Sequence, residues 1–408
     1  MKELFSLGDI YVSDFLNKND VAHPEMKVEL KMMYDDSTHE VRLENCAPLS
    51  SMYGRYWYRS GINQTMRKEL KSIVESVQSV IKLKENDLWL DIACNDGTLL
   101  SFVPKGIYRL GIDPAEDSYK NESKTHASEI IQDYFSKKSY DKSQLFKDKK
   151  AKVVTCIAMF YDLDNPDPFL NDIHSIMEDD GLLVLQMSYT PLMLEQMAFD
   201  NICHEHIFYY SLDTLSARLH KAGFKVMDCQ LNDVNGGSFR VYAMKKDADE
   251  TKFATQPYRD VCRFRVQAIS DTETVRGYNR IEVWDDFYKR LLTLKHDVCK
   301  FITEEKAKGK KIWGYGASTK GNTLLQYFGL DNKLIDGIAE RSPYKYGLRT
   351  VGTDIPIYSE DDMRAAKPDY LLVLPWHFID EFVEREKNYL ESGGKFIVPC
   401  PKFEIIGK

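Results

Sequence analysis

No C-x-x-C pair occurs anywhere in the chain. Its eight cysteines, Cys46, Cys94, Cys156, Cys203, Cys229, Cys262, Cys299 and Cys400, stand singly. That excludes a zinc ribbon and, in a reducing compartment, a disulfide framework. Cys94, Cys156 and Cys229 lie in or beside apolar runs, where an inert buried thiol is the ordinary reading, so no cysteine is given a catalytic role. Positive charge is also short. A formal net charge of −8 leaves no overall basic footprint for nucleic acid or an anionic membrane, and neither is expected as a partner. No apolar run approaches the ~20 residues that span a bilayer. The opening "MKELFSLGDI" lacks the charged and apolar regions of a signal peptide, and the expected compartment is the cytoplasm. Low-complexity tracts are missing too. What remains is a chain of 408 residues, 43% hydrophobic and 29% charged, long enough for two or three domains with substantial cores.

From about 65 to 245, helix-like segments alternate with short apolar runs, the pattern of a parallel α/β sheet. "DLWLDIA" (87–93), "IYRLGID" (107–113), "AKVVTCIA" (151–158) and "GLLVLQM" (181–187) read as buried parallel strands. "GFKVMDCQ" and "GSFRVYAM" are separated only by "LNDVNG", too short for a crossover helix, so they are expected to pair antiparallel. Residues 246–309 have few turn formers and helical periodicity, and are expected to link two domains. A second α/β run follows over 310–408, with strand-like stretches at 310–316, 334–340, 368–375 and 394–400. Residues 1–64 fit neither block and are expected to form a small cap.

Two loops carry binding chemistry. In "LWLDIACNDGTLL" a strand ends at Asp91 and turns through Ala93, Cys94, Asn95, Asp96 and Gly97 into a helix; ligands of open α/β sheets bind at such carboxyl ends. Asp113 ends the next strand, where an acid can hydrogen-bond both ribose hydroxyls. With a single glycine the turn suits a pyrophosphate poorly. S-adenosylmethionine carries a sulfonium and no pyrophosphate, and fits an acidic turn better; a purely structural βα turn is the alternative. The second loop, "IWGYGASTKGNTLL", has Gly314, Gly316 and Gly321 to free the backbone. Gly316, Ser318, Lys320 and Asn322 are its candidate anion or substrate contacts at a helix N-terminus. It is not a Walker A motif, because Gly-Asn follows the lysine.

A third stretch, "FDNICHEHIFYYSL" (199–212), sets His204 and His206 either side of Glu205. Two histidines two residues apart diverge on a helix, so the zinc-protease arrangement is excluded; on an extended segment they share a face. Catalytic base with supports, or polar strip with core aromatics at Tyr209 and Tyr210, both remain open at this point.

These motifs, with "YGRYWYRSGINQTMRKEL" (53–70) and "NGGSFRVY" (235–242), stand in an order that resembles the S-adenosylmethionine-dependent sugar C-methyltransferases, which act on nucleotide-linked deoxy-ketosugars. The resemblance covers nearly the whole chain. It implies an N-terminal zinc module, a class I methyltransferase domain whose sheet ends in an antiparallel pair, and a C-terminal Rossmann-like domain that meets a nucleotide-sugar. Two departures are visible: the family's N-terminal cysteine pairs are absent, so no metal is expected, and Cys203 stands where the family has tyrosine. By this resemblance His206 is the base that forms an enolate, Glu205 and His204 orient it, and Tyr58 contacts cofactor or enolate. Asp91, Ala93, Asn95, Asp96, Gly97 and Asp113 would hold S-adenosylmethionine, with Met159 and Phe160 packed over it. Arg341 and Trp376, beside His377, are placed to meet phosphate and base. The rivals are an O-methyltransferase on the same scaffold, a non-catalytic nucleotide-sugar binder, and an NAD(P)-dependent oxidoreductase reading its ribose with Glu340.

Overall fold

The computed structural model describes residues 1–23, 26–47 and 58–407. Residues 53–57 of the 53–70 motif, and 48–52 of the expected cap, lie outside them. By contact the chain divides into two units, one of residues 1–52, 190–207 and 280–408, the other of 53–189 and 208–279. This differs from the linear division into cap, methyltransferase domain, linker and C-terminal domain, because spatial packing gathers segments distant in sequence.

The second unit is built on seven strands: β1 (Leu88–Ile92), β2 (Tyr108–Ile112), β3 (Glu129–Ile131), β4 (Ala151–Ile157), β5 (Met177–Ser188), β6 (Phe224–Asn232) and β7 (Ser238–Lys245). Their order across the sheet is β3-β2-β1-β4-β5-β7-β6. The first five are parallel, while β7 runs antiparallel to both β5 and β6. All five residues of β1 are buried, which is why it reads as a continuous apolar run rather than an alternation. Helix Gln64–Val80 covers the sheet with Met66, Leu70, Ile73, Val74, Val77 and Val80, a stripe at three- and four-residue spacing. Its N-cap is Asn63, which accepts from the Thr65 N–H. The cluster beneath includes Trp89, Leu100, Tyr242 and Phe253.

In the first unit the C-terminal segment forms β8 (Ile312–Tyr315), β9 (Ile338–Glu340), β10 (Ile357–Ser359), β11 (Tyr370–Val373), β12 (Lys395–Val398) and β13 (Glu404–Ile406), ordered β10-β9-β8-β11-β12-β13. Five are parallel and β13 is an antiparallel edge. Antiparallel strands Lys2–Tyr11, Lys27–Tyr34 and Val41–Leu43 belong to the same unit, as does the antiparallel pair Phe15–Leu16 and Arg349–Thr350. The expected helical linker is two helices, Gln256–Arg276 and Ile281–Ala307, broken at Gly277, whose φ of 70° ends the first. They belong to different units. The second buries Trp284, Phe287, Leu291, Leu294, Val298 and Ile302 on one face. Among the described residues no helix is long and apolar enough to cross a membrane.

Candidate active site

In the second unit the β1 turn is held by positive φ at Ala93 (58°), Asn95 (52°) and Gly97 (77°). Asp113, at the end of β2, fastens it. One carboxylate oxygen accepts the Asn95 N–H at 2.8 Å and the other the Ala115 N–H at 2.7 Å. A carboxylate has about four acceptor positions, so each oxygen keeps capacity for a hydroxyl. Asp91 is buried and accepts from Thr155 Oγ1 at 2.6 Å. Burial pushes its pKa up to about 7, opposed by that hydrogen bond and reinforced by the charge of Asp113. Burial also raises Asp113, despite its two backbone donors, and the charge of Asp96 adds to this. Three acids, Asp91, Asp96 and Asp113, thus surround one turn, where an arriving sulfonium and ammonium would favour their ionised forms and a diphosphate would be repelled. The donor set therefore fits S-adenosylmethionine.

The turn's other side chains are committed within the unit. Asn95 accepts the Ser60 N–H at 3.1 Å and donates to the Tyr58 carbonyl at 3.0 Å. Asp96 accepts the Gly61 N–H at 2.7 Å and the Thr98 hydroxyl at 2.6 Å. Both side chains tie residues 58–61 to the turn. Tyr58 itself is 44% exposed. Phe160, expected over the cofactor, is fully buried, with Phe169 and Tyr210 rings at 5.9 and 5.5 Å. It is core, because the chain turns into a 3₁₀ segment at Phe160–Asp162 and drives the ring inward. Met159 stays half-buried after β4.

In the first unit, the histidine strip and the glycine-rich loop come together around Lys320. Lys320 Nζ donates to Asn201 Oδ1 at 2.6 Å, and the carbonyl oxygen of the same Asn201 accepts from His206 Nδ1 at 2.8 Å. A carbonyl only accepts, so Nδ1 bears the proton and Nε2 of the neutral ring carries the lone pair. Burial, then the Lys320 charge, pulls the His206 pKa down to about 3. His377 is lowered in the same way. Burial pushes Glu205 up to about 7, against the Lys320 charge and hydrogen bonds from Thr319 and Cys203. The Cys203 thiol lies 3.9 Å from Glu205 Oε2. His204 is placed differently: Nε2 donates to the Val28 carbonyl at 2.8 Å, so the ring pins the strip to the N-terminal strands.

Other expected contacts are used structurally. Ser318 caps helix Thr319–Phe328 by accepting the Gly321 N–H at 2.9 Å. Asn322, 1% exposed, donates to Ser13 Oγ and the Asp14 carbonyl. Gly316 has φ 83°, and a Cβ there would lie 2.7 Å from Pro375. Trp376 is 5% exposed and donates Nε1 to Asp200 at 3.2 Å, making it a wall of the cluster rather than a platform for a base. Arg341 is exposed and 3.9 Å from Glu381. Glu340 accepts the Ala317, Arg341 and Ser342 N–H groups, each at 2.8 Å, so the acid that would read a dinucleotide ribose clamps its own loop. Asn201 and Asp200 precede the histidines in the same strip, but nothing local in the sequence marks an asparagine as a bridge.

Residues 62–228 match a family described as methyltransferase domain, and residues 233–401 one described as C-methyltransferase C-terminal domain. Among curated proteins, the C-methyltransferase NovU of Streptomyces niveus is 29% identical over 356 residues, 87% of this chain and 82% of that protein. Among solved structures, an S-adenosylmethionine-dependent methyltransferase of Clostridium acetobutylicum ATCC 824 is 10% identical over 45% of this chain and 93% of its own, with a TM-score of 0.34. The N-methyltransferase NodS of Bradyrhizobium japonicum WM9 is 9% identical over 45% and 96%, with a TM-score of 0.33. Likenesses that distant add nothing to the assignment. The sheet order, the acidic turn and the family match define the class: the chain is an S-adenosylmethionine-dependent methyltransferase with the class I fold, followed by further α/β structure. Within that class, its second half is similar to C-methyltransferases.

Proposed function

We propose that this methyltransferase alkylates a carbon next to the ketone of a nucleotide-activated deoxy-ketosugar, with His206 as the base. The observation that carries the reading is the hydrogen bond from His206 Nδ1 to the Asn201 carbonyl, which places the proton on Nδ1 and makes Nε2 the basic nitrogen of the ring. Burial and the Lys320 charge keep the ring neutral at physiological pH and at the same time lower its basicity. The likeness to a C-methyltransferase over most of the chain supports carbon as the acceptor. When bound at the acidic turn, S-adenosylmethionine supplies an electrophilic methyl group on sulfonium. Asp113 and the turn backbone hold it, His206 takes the substrate proton, and Glu205 and Lys320 set the charge around the ring. His204 serves the fold of the strip. A dinucleotide reductase is disfavoured by Glu340, whose oxygens are already engaged by three backbone donors.

The test is incubation with methyl-labelled S-adenosylmethionine and a panel of nucleoside diphosphate-linked deoxy-ketosugars, with the product resolved by NMR. A new carbon–carbon bond beside the ketone is expected. An O-methyl ether, or reduction of the ketone with NAD(P)H, would overturn the reading.

A further inference from the structure

We propose that Lys320 is a catalytic residue whose ammonium receives the enolate oxygen as His206 removes the proton, with Asn201 positioning both groups. The inference rests on the carbon-methylation reading above and adds to it an electrophile and its support. Asn201 uses its side-chain oxygen for Lys320 and its main-chain oxygen for His206, at 2.6 and 2.8 Å. One residue therefore fixes the ammonium relative to the imidazole. Asn201 is 2% exposed, so these contacts are not diluted by solvent, and its side-chain amide is held in turn by the Ala198 carbonyl at 3.1 Å.

Lys320 sits at the start of the ten-residue helix Thr319–Phe328, whose first turn adds positive potential of its own. Its charge is felt by Asp200, Glu205 and His206 in the 199–212 strip and by His377 in a second, distant stretch of chain. Among the described residues Lys320 Nζ bonds Asn201 Oδ1, and an ammonium has three donors. Glu205, Lys320 and His377 are partly exposed, so the cluster can be reached from outside. A cation beside a base is a handicap at rest, since it opposes protonation of the imidazole. It becomes an advantage only when an anion forms next to both. Enolisation makes that anion: the C–H pair becomes the C=C bond, the carbonyl π pair moves onto oxygen beside Lys320, and the proton goes to His206 Nε2. A donor fixed in advance where charge develops stabilises the transition state more than the ground state.

The experiment is hydrogen–deuterium exchange at the carbon beside the ketone, followed by NMR in D₂O. It uses the full chain with S-adenosylhomocysteine and the same panel of nucleoside diphosphate-linked deoxy-ketosugars. Lys320→Met should slow exchange at saturating sugar by roughly 10²- to 10³-fold, the loss seen when one oxyanion donor is removed. Affinity for the sugar should change little, and Lys320→Arg should recover part of the rate. In the exchange profile the limb that reports His206 protonation should move to higher pH in Lys320→Met, because the opposing cation is gone. Asn201→Ala should lose roughly 10- to 10²-fold and move the same limb in the same direction. Unchanged melting and S-adenosylhomocysteine affinity confirm that each variant is folded. If Lys320→Met instead weakens sugar binding and exchanges normally at saturation, Lys320 is a phosphate contact and the inference is overturned. If the wild-type enzyme exchanges nothing and yields an O-methyl product, the carbon-methylation reading itself falls, and the enolate role falls with it.

Discussion

Replacing Gly97 with alanine tests whether the acidic turn is built as its geometry implies. Gly97 has φ 77°, and a Cβ there would lie 2.8 Å from Ser123 Cα and 3.0 Å from Ser123 Cβ. Two costs add. Left-handed backbone costs an L-residue about 1–2 kcal/mol, and forcing a methyl against buried backbone about 1–3 kcal/mol. Ser123 is 1% exposed and ends the helix Asp117–Ser123, so it has little room to retreat. The sum is about 2–5 kcal/mol, equivalent to roughly 5–15 °C for a unit of this size. The turn must shift to accept the methyl, which moves the Asn95 and Thr98 amides bound by Asp113 and Asp96. Affinity for S-adenosylhomocysteine should therefore fall by roughly tenfold or more. Calorimetric melting and titration of both proteins measure the two effects. Gly309 is the control: its φ is 80° but nothing lies within 4 Å of its would-be Cβ, so Gly309→Ala isolates the backbone cost alone. A Gly97→Ala protein that melts no lower than Gly309→Ala, with cofactor affinity intact, would refute the close approach.

His206→Ala should cut turnover at saturation by roughly 10²- to 10⁴-fold while leaving S-adenosylhomocysteine affinity unchanged. His204→Ala should show mainly a stability loss of about 1–3 kcal/mol from the orphaned Val28 carbonyl, and a turnover loss matching that of His206→Ala would show the roles are exchanged. Asp113→Ala strands two backbone donors and should weaken cofactor binding by roughly 10- to 10²-fold in titration calorimetry, with Asp113→Asn milder because one oxygen still accepts. For Asp91, burial raises the folded pKa from 3.8 to about 7, so the native state holds a proton that the unfolded chain has released. Stability of the wild type should then fall as pH rises through that window, and Asp91→Asn should remove this share of the slope. Urea unfolding of the two proteins without cofactor, at about pH 4 and about pH 8, reads the difference; parallel profiles would mean Asp91 is ionised in the fold.

Most strands of both α/β sheets were legible because their signals are local. β1, β2 and β4 are short apolar runs ending in polar turns, and the β6–β7 pair follows from a link too short for a crossover. The acids at the ends of β1 and β2 were visible for the same reason. β3, β10 and β13 have three residues each, too few to show a period, and only sheet partners reveal them; β9 is as short but stands within the strand-like run at 334–340. What the turn residues hold within the fold was not legible: Asn95 and Asp96 hydrogen-bond residues 58–61, a segment that no pattern places beside them. Phe160 likewise follows a strand as a ligand contact would, yet packs into an aromatic core whose members lie elsewhere in the chain. The sequence by itself determined the strands, their turns and an acidic cradle suited to a sulfonium. Tertiary structure alone decided that Lys320 and His206 share Asn201, that His204 holds a strand and that Glu340 clamps its own loop. Secondary structure is encoded in neighbours along the chain, whereas a site is made of groups that meet only after the segments between them have packed.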